Sequence, residues 1–150
     1  MKRKILVDLD VLTNALWKGE NEKAARKFLN TVMENVEILT PSTLIELIFN
    51  WKDRNIAKSI LSFYLENSDI LSQKTILREF ERNKVDYKKI IDELVKVSGK
   101  EEDCFLVLVA SVFGLDIITF NKKHLLNKKN EINDVLIRFN LKEVKINEPI

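Results

Sequence analysis

Short apolar runs alternate with longer stretches of helical periodicity along this chain. Each run is rich in Ile, Leu and Val and ends at polar or turn-forming residues, a pattern typical of buried strands in a parallel sheet. Five segments fit this description and predict strands: 5–7, 36–39, 69–71, 116–120 and 144–146.

Between these runs, apolar side chains recur every three or four positions, which predicts helices over 20–34, 43–51, 54–65 and 73–97. In the last of these the apolar residues fall at i, i+3, i+4, i+7 and i+10, namely Tyr87, Ile90, Ile91, Leu94 and Val97. Residues 104–113 are apolar on nearly every side and lie between Gly99 and Gly114. This segment is predicted to be a buried central helix.

The alternation of strands and helices predicts an α/β domain. Helices on both faces of a parallel sheet give a three-layer α/β/α architecture. The length of 150 residues and the hydrophobic content of 45% suit one core, so 1–150 is expected to form a single domain. No linker, repeat or low-complexity segment divides it.

The scarce residue types narrow the possible chemistry. One His, one Cys and three widely separated Gly exclude a Cys/His zinc cluster, an internal disulfide and a glycine-rich phosphate loop. Acidic residues are plentiful, with 23 Asp and Glu against 25 Lys and Arg. If the protein is an enzyme, carboxylates are expected to do the chemistry. The net charge of +2 is interspersed along the chain and names no partner.

Neither a signal peptide nor a membrane span is predicted. The basic N-terminal residues are followed by an apolar run that Asp8 and Asp10 interrupt, and no apolar stretch reaches membrane-spanning length. We therefore expect a soluble, cytoplasmic protein with no membrane partner.

Acidic residues follow the predicted strands at the edge where a parallel sheet gathers its ligand-binding loops. They are Asp8, Asp10, Glu46, Glu101, Glu102 and Asp103, with Asn121 beside them. Carboxylates that share a pocket repel one another by roughly 4 kcal/mol per pair at ~4 Å and an effective dielectric near 20. A hard divalent cation offsets this repulsion and suits phosphodiester hydrolysis, so the pattern favours a Mg²⁺ site.

Four segments together resemble the PIN domain nucleases, including the VapC-type toxins. Residues 5–12 resemble the first motif of that family, an apolar strand followed by Asp-x-Asn-x-Leu, and residues 41–47 resemble the second. Residues 102–110 are similar to the helix that bears the third acid, and 117–125 to the strand and turn that bear the fourth. The resemblance covers essentially the whole chain in the expected order.

The resemblance implies a five-stranded parallel sheet, a Mg²⁺ or Mn²⁺ cofactor and endoribonuclease activity on RNA. By matching position, Asp8, Glu46 and Asp103 would be the catalytic and metal-binding acids, with Thr119 supporting them. Two supporting positions depart from the family pattern, since Asp10 stands where Asn is usual and Asn121 where many members have Asp. A toxin role would imply a cognate antitoxin as partner, and the resemblance also suggests a homodimer.

Each candidate also has a purely structural interpretation. Glu46 completes a capping-box pattern with Thr43, as Glu101 does with Ser98. Periodicity cannot choose between Glu102 and Asp103, because the helix is apolar on all sides. Lys122 and Lys123 would contact phosphates or belong to a solvated loop. The other candidates are a surface imidazole, a buried thiol and two indoles that could stack on bases: His124, Cys104, Trp17 and Trp51.

Two other functions compete with the ribonuclease. Asp8-Leu9-Asp10 after an apolar strand also resembles the nucleophile-and-acid pair of haloacid dehalogenase-type phosphatases, although Leu12 stands where that family has Thr or Val. The second competitor is a catalytically degenerate PIN-like module that binds RNA or a protein, and Asn121 is the residue that motivates it.

Overall fold

The five predicted strands form one parallel sheet. The structure, a computed structural model, describes residues 2–16 and 19–149. The strands are β1 (Arg3–Val7), β2 (Val36–Pro41), β3 (Ser68–Leu71), β4 (Asp116–Ile118) and β5 (Ile146–Asn147). They lie in the order β3-β2-β1-β4-β5, and every neighbouring pair is parallel. The direction of strand addition therefore reverses between β1 and β4.

Helices cover both faces of this sheet. They are α1 (Leu9–Leu16), α2 (Glu22–Val32), α3 (Ser42–Phe49), α4 (Arg54–Asn67), α5 (Gln73–Arg82), α6 (Tyr87–Ser98), α7 (Glu101–Phe113) and α8 (Lys129–Arg138). The first four pack on one another, and so do the last four. Right-handed crossovers place these two groups on opposite faces, because the chain moves along the sheet in opposite directions before and after β3. The three-layer α/β/α prediction is confirmed.

The core is built around β1 and α7. Ile5, Leu6 and Val7 have no exposed surface, and α7 is buried along most of its length, including Leu108 and Val109 at 0% exposure. Gly114 ends α7 in the left-handed conformation, with φ at 71°, which glycine adopts without strain. Among residues 2–16 and 19–149, no helix has the length and apolar character needed to cross a membrane.

The helix predicted over 73–97 is two helices, α5 and α6. Asn83 ends α5, Lys84 has a positive φ of 55°, and Asp86 begins α6 by accepting a hydrogen bond from the backbone N–H of Lys89. Apolar periodicity continues across the break, and this continuity hid the turn. The left-handed residue and the Asp N-cap are the local causes of the break.

Two strand ends differ from the prediction because side chains take the ladder's hydrogen bonds. β4 stops at Ile118 rather than residue 120, since the N–H of Phe120 donates to the carboxylate of Asp10. β5 begins at Ile146 rather than 144, since Val144 exchanges both of its backbone hydrogen bonds with the side chain of Asn133.

The sequence patterns did not predict α1 and α8. Helix α1 is only eight residues long and follows β1 after a single residue. The apolar residues of the strand and the helix therefore form one nearly continuous run, in which the helical periodicity is hard to recognise. Helix α8 buries Ile132, Val135 and Leu136 at i, i+3 and i+4, but the surrounding residues are mostly polar and the apolar stripe is short.

A pair of leucines tests this description of the core. Leu108→Ala, in the buried centre of α7, should lower the free energy of unfolding by about 2–5 kcal/mol, because it removes transfer energy and leaves a cavity. Leu65→Ala on α4, where the side chain is 64% exposed, should change it by less than about 0.5 kcal/mol. Urea denaturation measures both, and equal losses would contradict the burial described for α7.

Candidate functional site

The register of β1 and β4 brings Asp8 beside Thr119. Val7 pairs with Ile118, and the N–H of Asp8 donates to the Ile118 carbonyl oxygen at 3.0 Å. The residues that follow these two strands therefore lie next to each other. They do so at the carboxyl edge of the sheet, at the point where strand order reverses, which is where open parallel sheets bind ligands.

One hydroxyl lies between two carboxylates at this point. Thr119 Oγ1 is 2.9 Å from Asp8 Oδ2 and 3.2 Å from Asp10 Oδ2, and its single proton serves one of them at a time. Backbone donors complete the arrangement, with Leu9 N–H donating to Asp8 Oδ1 at 2.8 Å and Phe120 N–H to Asp10 at 3.2 Å. Both carboxylates are thus held by groups from the ends of β1 and β4.

Asn121 links this pair to the third carboxylate. Its backbone N–H donates to Thr119 Oγ1 at 3.0 Å, and its side-chain Nδ2 donates to Asp103 Oδ2 at 3.1 Å. The N–H of His124 donates to Asn121 Oδ1 at 3.0 Å, which fixes the orientation of the amide. Asp103 is buried, whereas Glu102 is exposed, so the structure separates two acids that periodicity could not.

These side chains line a pocket of about 760 Å³, here called the acidic pocket. Its charged lining residues are Asp8, Asp10, Glu46, Lys100, Glu101, Glu102 and Asp103, and Asn121 also lines it. Glu46 reaches it from α3 as an exposed side chain, and its carboxylate has no hydrogen-bond partner in the part of the chain that the structure describes. The six carboxylates come from three separate segments that follow β1, follow β2 and begin α7.

Burial makes ionisation of three carboxylates in the acidic pocket, Asp8, Asp10 and Asp103, less favourable. It raises the pKa of Asp8 to about 7, with repulsion from Asp10 and Asp103 adding to the effect and the donors Thr119 and Leu9 opposing it. Burial also raises the pKa of Asp10, against the opposing hydrogen bond from Phe120 N–H. It raises the pKa of Asp103 as well, and there the positive charge of Lys100 is the largest opposing influence. Such perturbed carboxylates in a cleft are a mark of functional sites.

A buried tyrosine supports the end of β1, and the sequence patterns did not single it out. Tyr64 on α4 is fully buried, and its hydroxyl donates to the Val7 carbonyl oxygen at 2.7 Å. Burial, together with the nearby charges of Asp8 and Asp10, raises the pKa of Tyr64 well above 10.0, so the hydroxyl keeps its proton. It fixes the peptide that immediately precedes Asp8.

Neither capping-box pattern forms. The residue at the N-cap of α3 is Pro41, with no side-chain cap, so Thr43 and Glu46 do not close that helix end. The N-cap of α7 is Lys100, and the hydroxyl of Ser98 donates instead to the carbonyl oxygen of His124 at 2.9 Å. The purely structural interpretation of Glu46 and Glu101 as capping residues is therefore wrong.

The remaining candidates lie outside the acidic pocket. Lys122 and Lys123 are exposed, and Lys122 lines a separate hollow beside β5. Trp51 lines a neighbouring hollow of about 620 Å³ that shares Asn50 with the acidic pocket. Burial raises the pKa of Cys104 to about 11, which leaves the thiol protonated and unreactive in the core. Trp17 lies outside the described residues.

The donor chemistry of the acidic pocket suits a hard divalent cation, because the pocket offers carboxylate oxygens whose mutual repulsion such an ion offsets. The side chains are not gathered around one point, however. Among residues 2–16 and 19–149, no group of three or more His, Cys, Asp or Glu side chains is arranged to hold a metal ion. To bind one ion through three ligands, the carboxylate side chains would have to move closer to a common point.

Comparison with solved structures defines the class of fold. The crystal structure of FitAcB from Neisseria gonorrhoeae matches 97% of this chain and 97% of its own, with a TM-score of 0.53 and 15% sequence identity. No family model matches the sequence, and no curated protein is detectably similar to it. With the sheet order and helix layers described above, the chain has a three-layer α/β/α PIN-like fold.

The pKa of Asp8 predicts how stability depends on pH without metal. This pKa is about 7 in the folded state and 3.8 ordinarily, so between these values the folded state binds more protons than the unfolded state. Stability contributed by this group is therefore present at low pH and lost as pH rises through about 7.

In a chelator-containing buffer, the difference in unfolding free energy between the wild type and Asp8→Asn should shift against the wild type as pH rises from about 4 to about 7. Urea denaturation at a series of pH values measures it. Parallel pH profiles for the two proteins would show that ionisation of Asp8 does not destabilise the folded state.

Proposed function

We propose that this chain is a metal-dependent endoribonuclease that cleaves RNA phosphodiester bonds. The observation that carries the proposal is the placement of Asp8, Asp10 and Asp103, joined through Thr119 and Asn121, at the strand-order reversal of a PIN-like fold. The acidic pocket around them has a volume of about 760 Å³ and is rich in the oxygen ligands that metal-assisted phosphodiester hydrolysis uses.

The proposed cofactor is Mg²⁺ or Mn²⁺, held by Asp8, Glu46 and Asp103. Such an ion, when bound, would supply the positive charge that polarises a phosphoryl oxygen and makes water a stronger nucleophile. The exposed side chain of Glu46 has no partner to leave, so it is the ligand most free to move toward Asp8 and Asp103.

The protein's own groups orient these acids. Leu9 N–H and Thr119 hold the two oxygens of Asp8, and Asn121 aims Asp103 by donating to one of its oxygens. Asp10 adds a further carboxylate on the β4 side of the pocket, held by Phe120 N–H. We propose that Asp10 supplies the negative charge that the amide of Asn121 does not.

The biological setting follows from the same proposal. A ribonuclease of this kind would act in the cytoplasm as the toxin of a toxin–antitoxin pair, with RNA as substrate, a cognate antitoxin as inhibitor and a homodimer as its assembly. The likeness in fold to FitAcB over nearly the whole chain supports the proposed class of protein.

Cleavage of mixed RNA substrates with Mg²⁺ or Mn²⁺ tests the activity. Asp8→Asn and Asp103→Asn should each lower the rate at least about 100-fold, because even residues that only orient metal ligands cost 10–100-fold. The matched control is Asp69→Asn, an exposed carboxylate in a hollow that also contains Lys2, at the amino edge of the sheet. It should cleave at the wild-type rate, and full activity in either site variant would overturn the assignment.

A second function is favoured by one observation, that the described carboxylates do not assemble a three-ligand metal group. That observation fits a non-cleaving module that binds RNA or a protein. Binding of RNA without cleavage in any metal would establish this function instead. A haloacid dehalogenase-type phosphatase would be revealed by a phosphate-mimicking fluoride trapped on Asp8, in a protein that leaves RNA intact.

Thermal unfolding tests metal binding independently of any activity. Mn²⁺ or Mg²⁺ should raise the Tm of the wild type by binding the folded carboxylates alone, and a free concentration of 100 Kd corresponds to about 2.7 kcal/mol. Asp8→Asn should show a much smaller rise, while Asp69→Asn should match the wild type. An equal rise in all three proteins would place the ion elsewhere.

A further inference from the structure

Lys100 is the one basic side chain among the described residues that line the acidic pocket. The other charged lining groups are six carboxylates, so Lys100 is the lining side chain whose charge attracts an approaching polyanion. Lys100 is exposed, and its ammonium forms no ion pair within residues 2–16 and 19–149. Its charge acts on Asp103, where it opposes the rise in pKa caused by burial, but without a direct ion pair among the described residues, so the ammonium can still contact a ligand.

The backbone that carries Lys100 is held on both sides. Before it, Gly99 has a φ of 90°, a left-handed conformation that ends α6 and turns the chain toward α7. After it, α7 begins, with the N–H of Cys104 donating to the Lys100 carbonyl oxygen at 3.1 Å. The position of Lys100 thus follows from the junction of two helices rather than from a long loop.

Ser98 and His124 clamp this junction to the turn after β4. The Ser98 hydroxyl donates to the His124 carbonyl oxygen at 2.9 Å, and His124 Nδ1 lies 2.6 Å from the Ser98 carbonyl oxygen. Because a carbonyl can only accept, this contact requires the proton on Nδ1. The same turn holds Asn121 through the N–H of His124, so the clamp ties Lys100 to the segment that orients Asp103.

We propose that Lys100 binds a phosphate oxygen of the RNA in the acidic pocket, and that the Ser98–His124 clamp positions it to do so. The inference rests on the proposed function, since it names the residue that brings a polyanion to this site. A lysine on a single phosphate contributes equally to bound substrate and transition state, so its removal should raise KM and leave kcat largely unchanged.

The test measures binding and cleavage of the same fluorescein-labelled single-stranded RNA. Binding is followed by anisotropy in Ca²⁺ over a range of salt concentrations, with a gel to check that the probe stays intact. Lys100→Gln should weaken binding about tenfold and reduce the slope of log K against log salt by about one. Lys100→Arg should retain most of the affinity, because it keeps the charge.

Lys145→Gln is the matched control. Lys145 is an exposed lysine that immediately precedes β5, so it lies at the edge of the sheet opposite the acidic pocket. Its removal changes net charge by the same amount as Lys100→Gln and should leave the salt slope and KM close to wild type. If the two variants bind and cleave alike, the role of Lys100 is overturned.

The clamp is tested by a double-mutant cycle. Ser98→Ala should weaken RNA binding in the wild type but not further in Lys100→Gln, and additive losses would overturn the positioning role. The outcomes also separate the two proposals. Wild-type cleavage with no special effect of Lys100 defeats only this inference, while Lys100-dependent binding without cleavage in any metal defeats only the nuclease. A wild type that neither binds nor cleaves the RNA defeats both.

Discussion

The presence of a buried and a half-buried carboxylate, Asp8 and Asp10, just after the buried end of β1 is the constraint on which this structure depends. Asp8 follows three residues with no exposed surface, and Asp10 lies two residues further on, in the first turn of α1. Buried carboxylates without hydrogen-bond partners would cost several kcal/mol each. Their partners come from the end of β4, which is far away in sequence and adjacent only because β4 pairs with β1. Strand order and register are therefore requirements of the site.

The hydrogen bonds reduce the cost of the buried charges without removing it. Burial still raises the pKa of Asp8, Asp10 and Asp103, so the folded state favours their protonated forms more than the unfolded state does. The buried carboxylates at this edge lower the stability of the folded state, and the apolar packing of β1 and α7 offsets that loss. A structure that concentrates its unfavourable charges in one open pocket has a place where a cation would be stabilising.

Asn121 reduces the repulsion among the carboxylates of the acidic pocket. Its amide donates to Asp103, whereas a carboxylate in the same place would face Asp103 as a second negative charge at about the same separation. The second carboxylate within hydrogen-bond distance of Thr119, beside Asp8, comes from Asp10. Negative charge is thus concentrated after β1, at Asp8 and Asp10, rather than paired at Asp103.

Much of this fold could be predicted from the sequence, because buried parallel strands and the apolar α7 leave strong patterns. The break between α5 and α6 could not, since Lys84 is an ordinary residue in an unusual conformation. For the candidate site, the sequence could predict that the acidic residues lie at the carboxyl edge of the sheet. The choice of Asp103 over Glu102 depends on a contact with Asn121 that lies 18 residues away, and the places of Lys100 and Tyr64 depend on helix packing, which periodicity does not describe.

We propose that the carboxylates at the carboxyl edge of the sheet, beside the ends of β1 and β4, bind a divalent cation. A crystal structure with Mn²⁺, recorded to show the anomalous scattering of manganese, tests it most directly. We predict an anomalous peak in the acidic pocket within coordination distance of Asp8, with the Glu46 side chain moved toward it. A peak at another place, or no peak in crystals grown with saturating Mn²⁺ while the carboxylates keep their hydrogen bonds to Thr119, would contradict it.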